Sequence, residues 1–178
     1  KFAQTFAQAI NEGTLADTSV TTYSGTADGY NANGTTGIRF FTYTNASGDA
    51  VSSADFVSAG LDYTAITAAN ISLSSDVASD AENIATSGGT AYETENSDIV
   101  SDLIDMLQDT AMFNKGTPSD YYNSIISTLA TDSASAQRRE ENYTSIVNLL
   151  TDRRTSVSGV DTNEETAHMT QYQSAYEA

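Results

Sequence analysis

The chain has 178 residues, with no cysteine, one histidine and a formal net charge of -17 from 24 acidic against 7 basic side chains. Disulfides, thiolate metal sites and cysteine nucleophiles are thereby excluded. Nucleic acid and anionic membrane surfaces make poor partners, because phosphate binding needs clustered basic side chains.

Leu, Ile, Val and Phe together make up about 18 % of the chain, just under the roughly 20 % that, with high net charge, signals disorder. The 10 tyrosines and the long periodic stretches weigh the other way, toward a folded, lightly cored, elongated protein. No apolar run approaches the roughly 20 residues of a membrane span, and no signal-peptide pattern opens the sequence. A first residue of Lys1 rather than methionine leads us to expect an excised piece of something larger.

Phe2, Phe6 and Ile10 recur every four residues and predict an amphipathic helix over 1–12, with Gly13 as its left-handed cap. From 14 to 97 the chain is rich in Ser, Thr, Ala, Gly and Asn. Turn signals stand at Asp28-Gly29, Asn33-Gly34, Ser47-Gly48 and Gly88-Gly89. Between them, 19–23, 37–44, 55–58 and 64–74 carry strand character. In the second of these, Phe40 and Thr42 face opposite to Phe41 and Tyr43, so that strand needs cover on both faces. A short helix is expected over 76–86, with Val77, Ala81 and Ile84 on one side.

Beyond residue 98 the pattern is helical. Ile99, Leu103 and Leu107 form one stripe, and Gly116 and Pro118 interrupt it. From Asp120 a long helix of about nine turns is predicted, its stripe running through Tyr122, Ile125, Ile126, Leu129, Tyr143, Ile146, Val147 and Leu150. Ala134 and Ala136 in its middle allow close approach of another helix. A stripe of this kind cannot bury itself and needs partner helices. On that expectation Ile146→Asp would unfold the helical part. A last helix follows Val160, with Met169, Tyr172 and Tyr176 three and four apart.

The fold expected is α+β: an elongated, rod-like helical bundle (1–13 and 98–178) with a β-rich, Ser/Thr/Gly-rich segment (14–97) inserted between the first helix and the carboxy-terminal helices.

The chain offers little to chemistry. A hydrolase triad would have to use His168, which sits beside Met169 in the last helix, and there is no Gly-x-Ser-x-Gly elbow. Glu140-Glu141 and Glu164-Glu165 are adjacent on helices, so each pair diverges by about 100° and cannot flank one substrate bond. A calcium loop over 29–40 fits at Asn31, Asn33 and Gly34, but has Gly29 at position one and Phe40 at position twelve. The charged ligands are therefore missing, and a turn on Asn33-Gly34 explains the segment better. Arg138-Arg139 and Arg153-Arg154 lie beside Glu140, Glu141 and Asp152 and read as ion-pairing residues. The sequons at Asn45, Asn70 and Asn142 are what chance gives in so Ser/Thr-rich a chain. No catalytic, cofactor-binding or metal-ligating residue is assigned, and no cofactor is expected.

The closing stretch, SVSGVDTNEETAHMTQYQSAYEA, resembles the signature that ends the rod-like helical domain of the flagellar hook-associated protein 1 family. The matching residues are Ser156 to Val160, then Glu164 and Glu165, then Gln173, Ala175, Tyr176 and Ala178. Hook and rod proteins share a looser form of this ending. FAQTFAQAINEG followed by GTTGIRFF is similar to the family's helix and its glycine-x-x-glycine-x-x-phenylalanine-phenylalanine turn, through Phe6, Asn11, Gly13, Gly34, Gly37, Phe40 and Phe41. AANISLSSDVASDAENIATS resembles the family's strand and acidic turn that lead into an isoleucine-alanine pair, here Ile84-Ala85. The chain departs from the pattern in three places. No histidine accompanies Asn11, Thr94-Glu95-Asn96 stands where glycine-aspartate-asparagine is usual, and the 45–61 insert is longer and more polar.

The resemblance covers nearly the whole chain in order. It implies a non-enzymatic, extracellular structural part of the bacterial flagellum, at the hook–filament junction, exported unfolded through the flagellar type III apparatus. It further implies self-assembly into a ring in the full-length protein. The partners would be the hook protein, the next junction protein or flagellin, and an export chaperone. The amino-terminal half and the last helix, which polymerise, would be missing, so the isolated piece is expected to be a monomer. The competing expectations are another axial subunit, flagellin-like or hook-like, and an extracellular adhesin or binding module.

Overall fold

The computed structural model describes residues 1–17, 19, 23–113 and 116–178. The protein is mostly helical (58 %), with a long carboxy-terminal helix and one small two-stranded sheet. Contacts divide it into two units, 1–125 and 126–178. The 14–97 segment shares its unit with the first helix and with the helix that begins at Asp98.

Helix α1, Phe2–Glu12, forms where the four-residue stripe predicts it. It ends at Gly13, which adopts φ +63° and returns its N–H to the carbonyl of Ala9 at 2.8 Å. Two further carbonyls at this end are met from a distance. Thr26 donates to Ile10 and Ala27 to Asn11, both at 2.9 Å, so the carbonyls that helix ends leave unpaired are satisfied by tertiary structure. The approach is close enough to require glycine. A Cβ on Gly13 would lie 1.9 Å from the Tyr23 carbonyl oxygen, and one on Gly25 would lie 2.3 Å from that of Asn11.

Helix α1 is the centre of its unit and packs on two sides. Ala9 and Ile10 join Leu15, Met106, Met112 and Phe113 in one buried cluster. Ala3 and Ala7 join Phe56, Tyr63 and Ile66 in a second, and Phe41 packs against both. The Phe2 ring stacks on Phe113 with centroids 5.0 Å apart, and Phe56 meets Tyr63 edge-on at 5.1 Å. Offset and edge-on geometries of this kind suit aromatic quadrupoles.

Strand β1, Phe41–Tyr43, pairs antiparallel with β2, Ile71–Leu73, placing Phe41 opposite Leu73 and Tyr43 opposite Ile71. Thr42 points to the other face, is fully buried, and donates its hydroxyl to the Val51 carbonyl at 2.8 Å. Both faces are thus covered, as the 37–44 pattern requires.

The rest of the expected β content is not strand. The two three-residue strands are the named ones among the described residues, and 14–97 is dominated by turns and short helices. Residues 55–58 lie in helix α2, Ser53–Ser58. Ser52 caps it by accepting from the Asp55 N–H, while its hydroxyl bonds the Asp55 carboxylate at 2.7 Å. A capping serine three residues ahead of an acid outweighs the strand propensity of Phe56 and Val57. Of 64–74 only the last part is strand, because Tyr63–Ala65 closes a 3-10 turn capped by Asp62. The expected 19–23 strand falls largely outside the described residues.

The helix expected over 76–86 is shorter. Helix α3, Ser75–Ser79, stops at Asp80, whose extended backbone starts a separate 3-10 turn over Ala81–Asn83. Val77 is buried as expected. Helix α4, Asp98–Gln108, buries Ile99 and Met106 and leaves Leu107 partly exposed.

Helix α5 runs 41 residues, Pro118–Ser158, with proline at its first position, where the missing N–H costs nothing. Helix α6, Thr162–Glu177, starts from Asp161, which accepts from the Asn163 N–H. Neither helix contains a buried residue. Ile146, expected in a buried stripe, is 50 % exposed. The apolar residues stand where the periodicity places them, and none of those in α5 is buried.

Candidate functional site

The described residues contain one dense polar node, at the carboxy-terminal end of α1. Asn11 is fully buried. Its Nδ2 donates to the Phe41 carbonyl at 2.7 Å and to the Tyr63 hydroxyl at 3.2 Å, and its Oδ1 accepts from the Phe41 N–H at 2.9 Å. The Tyr63 hydroxyl in turn donates to Glu12 Oε1 at 2.7 Å. Arg39 closes the group with a two-pronged contact to Glu12, Nε to Oε1 at 2.8 Å and Nη2 to Oε2 at 3.2 Å.

The electrostatics follow from burial and from these bonds. Burial pushes the Tyr63 hydroxyl well above its usual range, and the hydrogen bond to Glu12 adds to the effect. Burial pulls Arg39 down, but the bonds to Glu12 more than offset it and its pKa ends raised. Glu12–Arg39 is the one ion pair among the described residues. Each member of the node has its partners, and no buried side-chain polar atom among the described residues lacks one. A group so fully engaged ties a helix end to a strand. It has no acid, base or nucleophile aimed at open space.

A second polar spot lies where 23–25 meet α4. Tyr23 donates to Asp109 Oδ2 at 3.0 Å, and Asp102 accepts from the Ser24 N–H at 2.9 Å. The bond to Asp109 is the main cause of the raised Tyr23 pKa, with burial and the neighbouring carboxylates behind it. These contacts dock the 23–25 backbone onto the helix.

The residues weighed from sequence do not converge. His168 is exposed on α6, its ring 6.4 Å from that of Tyr172. Glu140, Glu141, Glu164 and Glu165 are exposed. The four arginines of α5 are exposed as well and make no ion pair among the described residues; Arg138 donates Nε to the Ala134 carbonyl. In 29–40, Asn31 is a structural pin. It is fully buried, bonded to Asn83 at 3.1 Å and to the Thr35 N–H at 2.7 Å, and Gly34 turns the chain at φ +73°.

Sequence reasoning assigned no part to Tyr63, and Asn11 stood out only for its family match. The available signal was an asparagine beside Ile10, on a helix face otherwise given to alanine and phenylalanine.

The most extended feature is the apolar stripe of α5. The concavity along it is lined by Asp132, Ser135, Ala136, Arg139, Glu140, Tyr143, Thr144 and Val147, all from this one helix. It is therefore a surface to be covered and not a pocket to be filled. Among the described residues no helix is long and apolar enough to cross a membrane. Compared with known proteins, the chain matches no family model, no curated protein and no solved structure.

Proposed function

We propose that the protein is a structural, non-catalytic part of the bacterial flagellum, of the kind that joins hook to filament. Its helices α1, α4, α5 and α6 would belong to a rod-like helical domain, with 14–97 as an inserted segment. It would work outside the cell after export in unfolded form. Its partners would be copies of itself in a ring, the hook protein, and the next junction protein or flagellin.

The observation that carries the reading is the pairing of Asn11 with Phe41. The helix and the turn that together carry this part of the resemblance meet through matching residues 30 apart. Gly13 lies at the same place, as the left-handed cap. Residues that define a fold are expected to bond one another, whereas chance matches would scatter. The composition agrees with export: without cysteine and with a light core, the chain is easily unfolded, and its charge keeps it soluble.

Immunogold electron microscopy of the source cells, with antibody to this chain, tests the proposal. Gold in a narrow band between hook and filament is the expected result. Gold along the whole filament would make it another axial subunit, and gold over the cell body would favour an adhesin.

A further inference from the structure

Helix α5 carries an arrangement that reads nearly the same from either end. Ile126 and Leu129 form an apolar block, followed by Asp132 and the small residues Ser133, Ala134, Ser135 and Ala136. Gln137 and Arg138 lead to Arg139, and beyond Glu140, Glu141 and Asn142 a second apolar block is formed by Tyr143, Ile146, Val147 and Leu150. The blocks are open: Leu129 is 61 % exposed and Leu150 59 %. Leu129, Ala136, Tyr143 and Leu150 also stand seven apart, the repeat that keeps one seam facing a partner helix.

We propose that this face binds the same face of a second copy of the chain, with the two α5 helices antiparallel. The charge pattern selects both occupant and direction. Asp132 and Arg139 lie on the same face but about 10.5 Å apart along the axis, and they form no ion pair within the helix. A parallel pair would set Asp132 on Asp132 and Arg139 on Arg139, two repulsions at the seam. An antiparallel pair with its two-fold axis between residues 135 and 136 removes both, because it sets Asp132 level with the other copy's Arg139 and parts each like pair by about 10.5 Å along the axis. Leu129 then lies beside the other copy's Tyr143 and Ile126 beside its Ile146, so that the two apolar blocks meet, and the other copy's Arg139 can donate to Asp132. The four small residues fall near the axis, where they let the backbones approach.

The local charge also permits a second copy. Residues 126–150 contain three carboxylates and two arginines, so this stretch carries only one of the seventeen net negative charges. Elsewhere two copies would repel each other more strongly. The inference is independent of the flagellar reading, and it runs against the monomer expected from sequence.

The test is sedimentation equilibrium of the whole chain, combined with pulsed electron-spin distance measurement on Asn148→Cys. The chain has no other thiol, and Asn148 is exposed and off the stripe. A dimer is expected, with labels displaced along the axis by about 38 Å for 25 residues. Arg139→Asp should weaken it about tenfold, and Asp132→Arg combined with Arg139→Asp should restore it. Both positions are exposed, so circular dichroism should stay the same in each variant. A monomer at the highest soluble concentration would overturn the proposal. So would side-by-side labels with no axial displacement, or a charge swap that fails to restore the dimer.

Discussion

Asn11 holds both backbone groups of Phe41, donating to its carbonyl at 2.7 Å and accepting from its amide at 2.9 Å. The side chain thus completes the edge of β1 as a neighbouring strand would, and fastens it to α1. Asn11→Ala would leave both Phe41 groups without partners in a largely buried place. At about 1–3 kcal/mol for each orphaned group, the first unit should lose roughly 2–6 kcal/mol. Urea unfolding followed by near-ultraviolet circular dichroism measures this, and an unshifted midpoint would show that the amide does not secure the strand.

Tyr63 makes the fold sensitive to alkali. Its hydroxyl ionises near pH 10 in the unfolded chain and well above that when folded, through burial and the bond to Glu12. The folded state therefore keeps a proton that the unfolded state gives up. That stability is fully present below pH 10 and is lost as the pH rises beyond it. Melting temperature should fall between pH 9.5 and pH 11.5, by about the same amount per step as the unfolded tyrosine deprotonates. Tyr63→Phe should flatten the fall while lowering stability at neutral pH.

Gly25 should tolerate no side chain. Its Cβ would lie 2.3 Å from the carbonyl oxygen of Asn11, against backbone that cannot rotate aside. Gly25→Ala should cost about 3 kcal/mol, the upper part of the range for overpacking. Thermal melting of the single variant reads the loss directly.

Ile146→Asp should behave unlike a core substitution. Ile146 is half exposed, so unfolding of the 1–125 unit should stay within about 0.5 kcal/mol of the parent. Its effect belongs to association, where the charge would meet Ile126 of the second copy. A large fall in the melting temperature of the first unit would mean that the stripe is covered after all.

The helices were legible because each carries a period long enough to see. The Phe2–Phe6–Ile10 stripe, Gly13 as a cap and Pro118 as a start are local signals, and α1 and α5 obey them. Helix α2 has only six residues, too few for a period, and its one signal was the Ser52–Asp55 cap. The strands were overestimated because β-branched and aromatic residues mark burial as readily as pairing. In Tyr63 and Phe56 they mark burial. The Asn11–Phe41 bond joins residues 30 apart, and local pattern carries no information on that. The stripe of α5 was visible in the sequence, but a stripe tells which side is apolar and not what covers it.

The central place of α1 has a consequence for how the chain reaches its native state. This helix precedes all of its packing partners in any delivery of the chain from its amino terminus. Its partners are Phe41, Phe56, Tyr63, Met106, Met112 and Phe113, the last of them more than 100 residues downstream. An 11-residue helix is marginal in water when alone. Within this unit α1 is therefore the segment that must wait longest, one apolar side uncovered until residue 66 is out and the other until residue 113. Folding of the first unit cannot be completed piecemeal in the order of delivery. It closes in one late step, when the 106–113 stretch reaches back to the beginning.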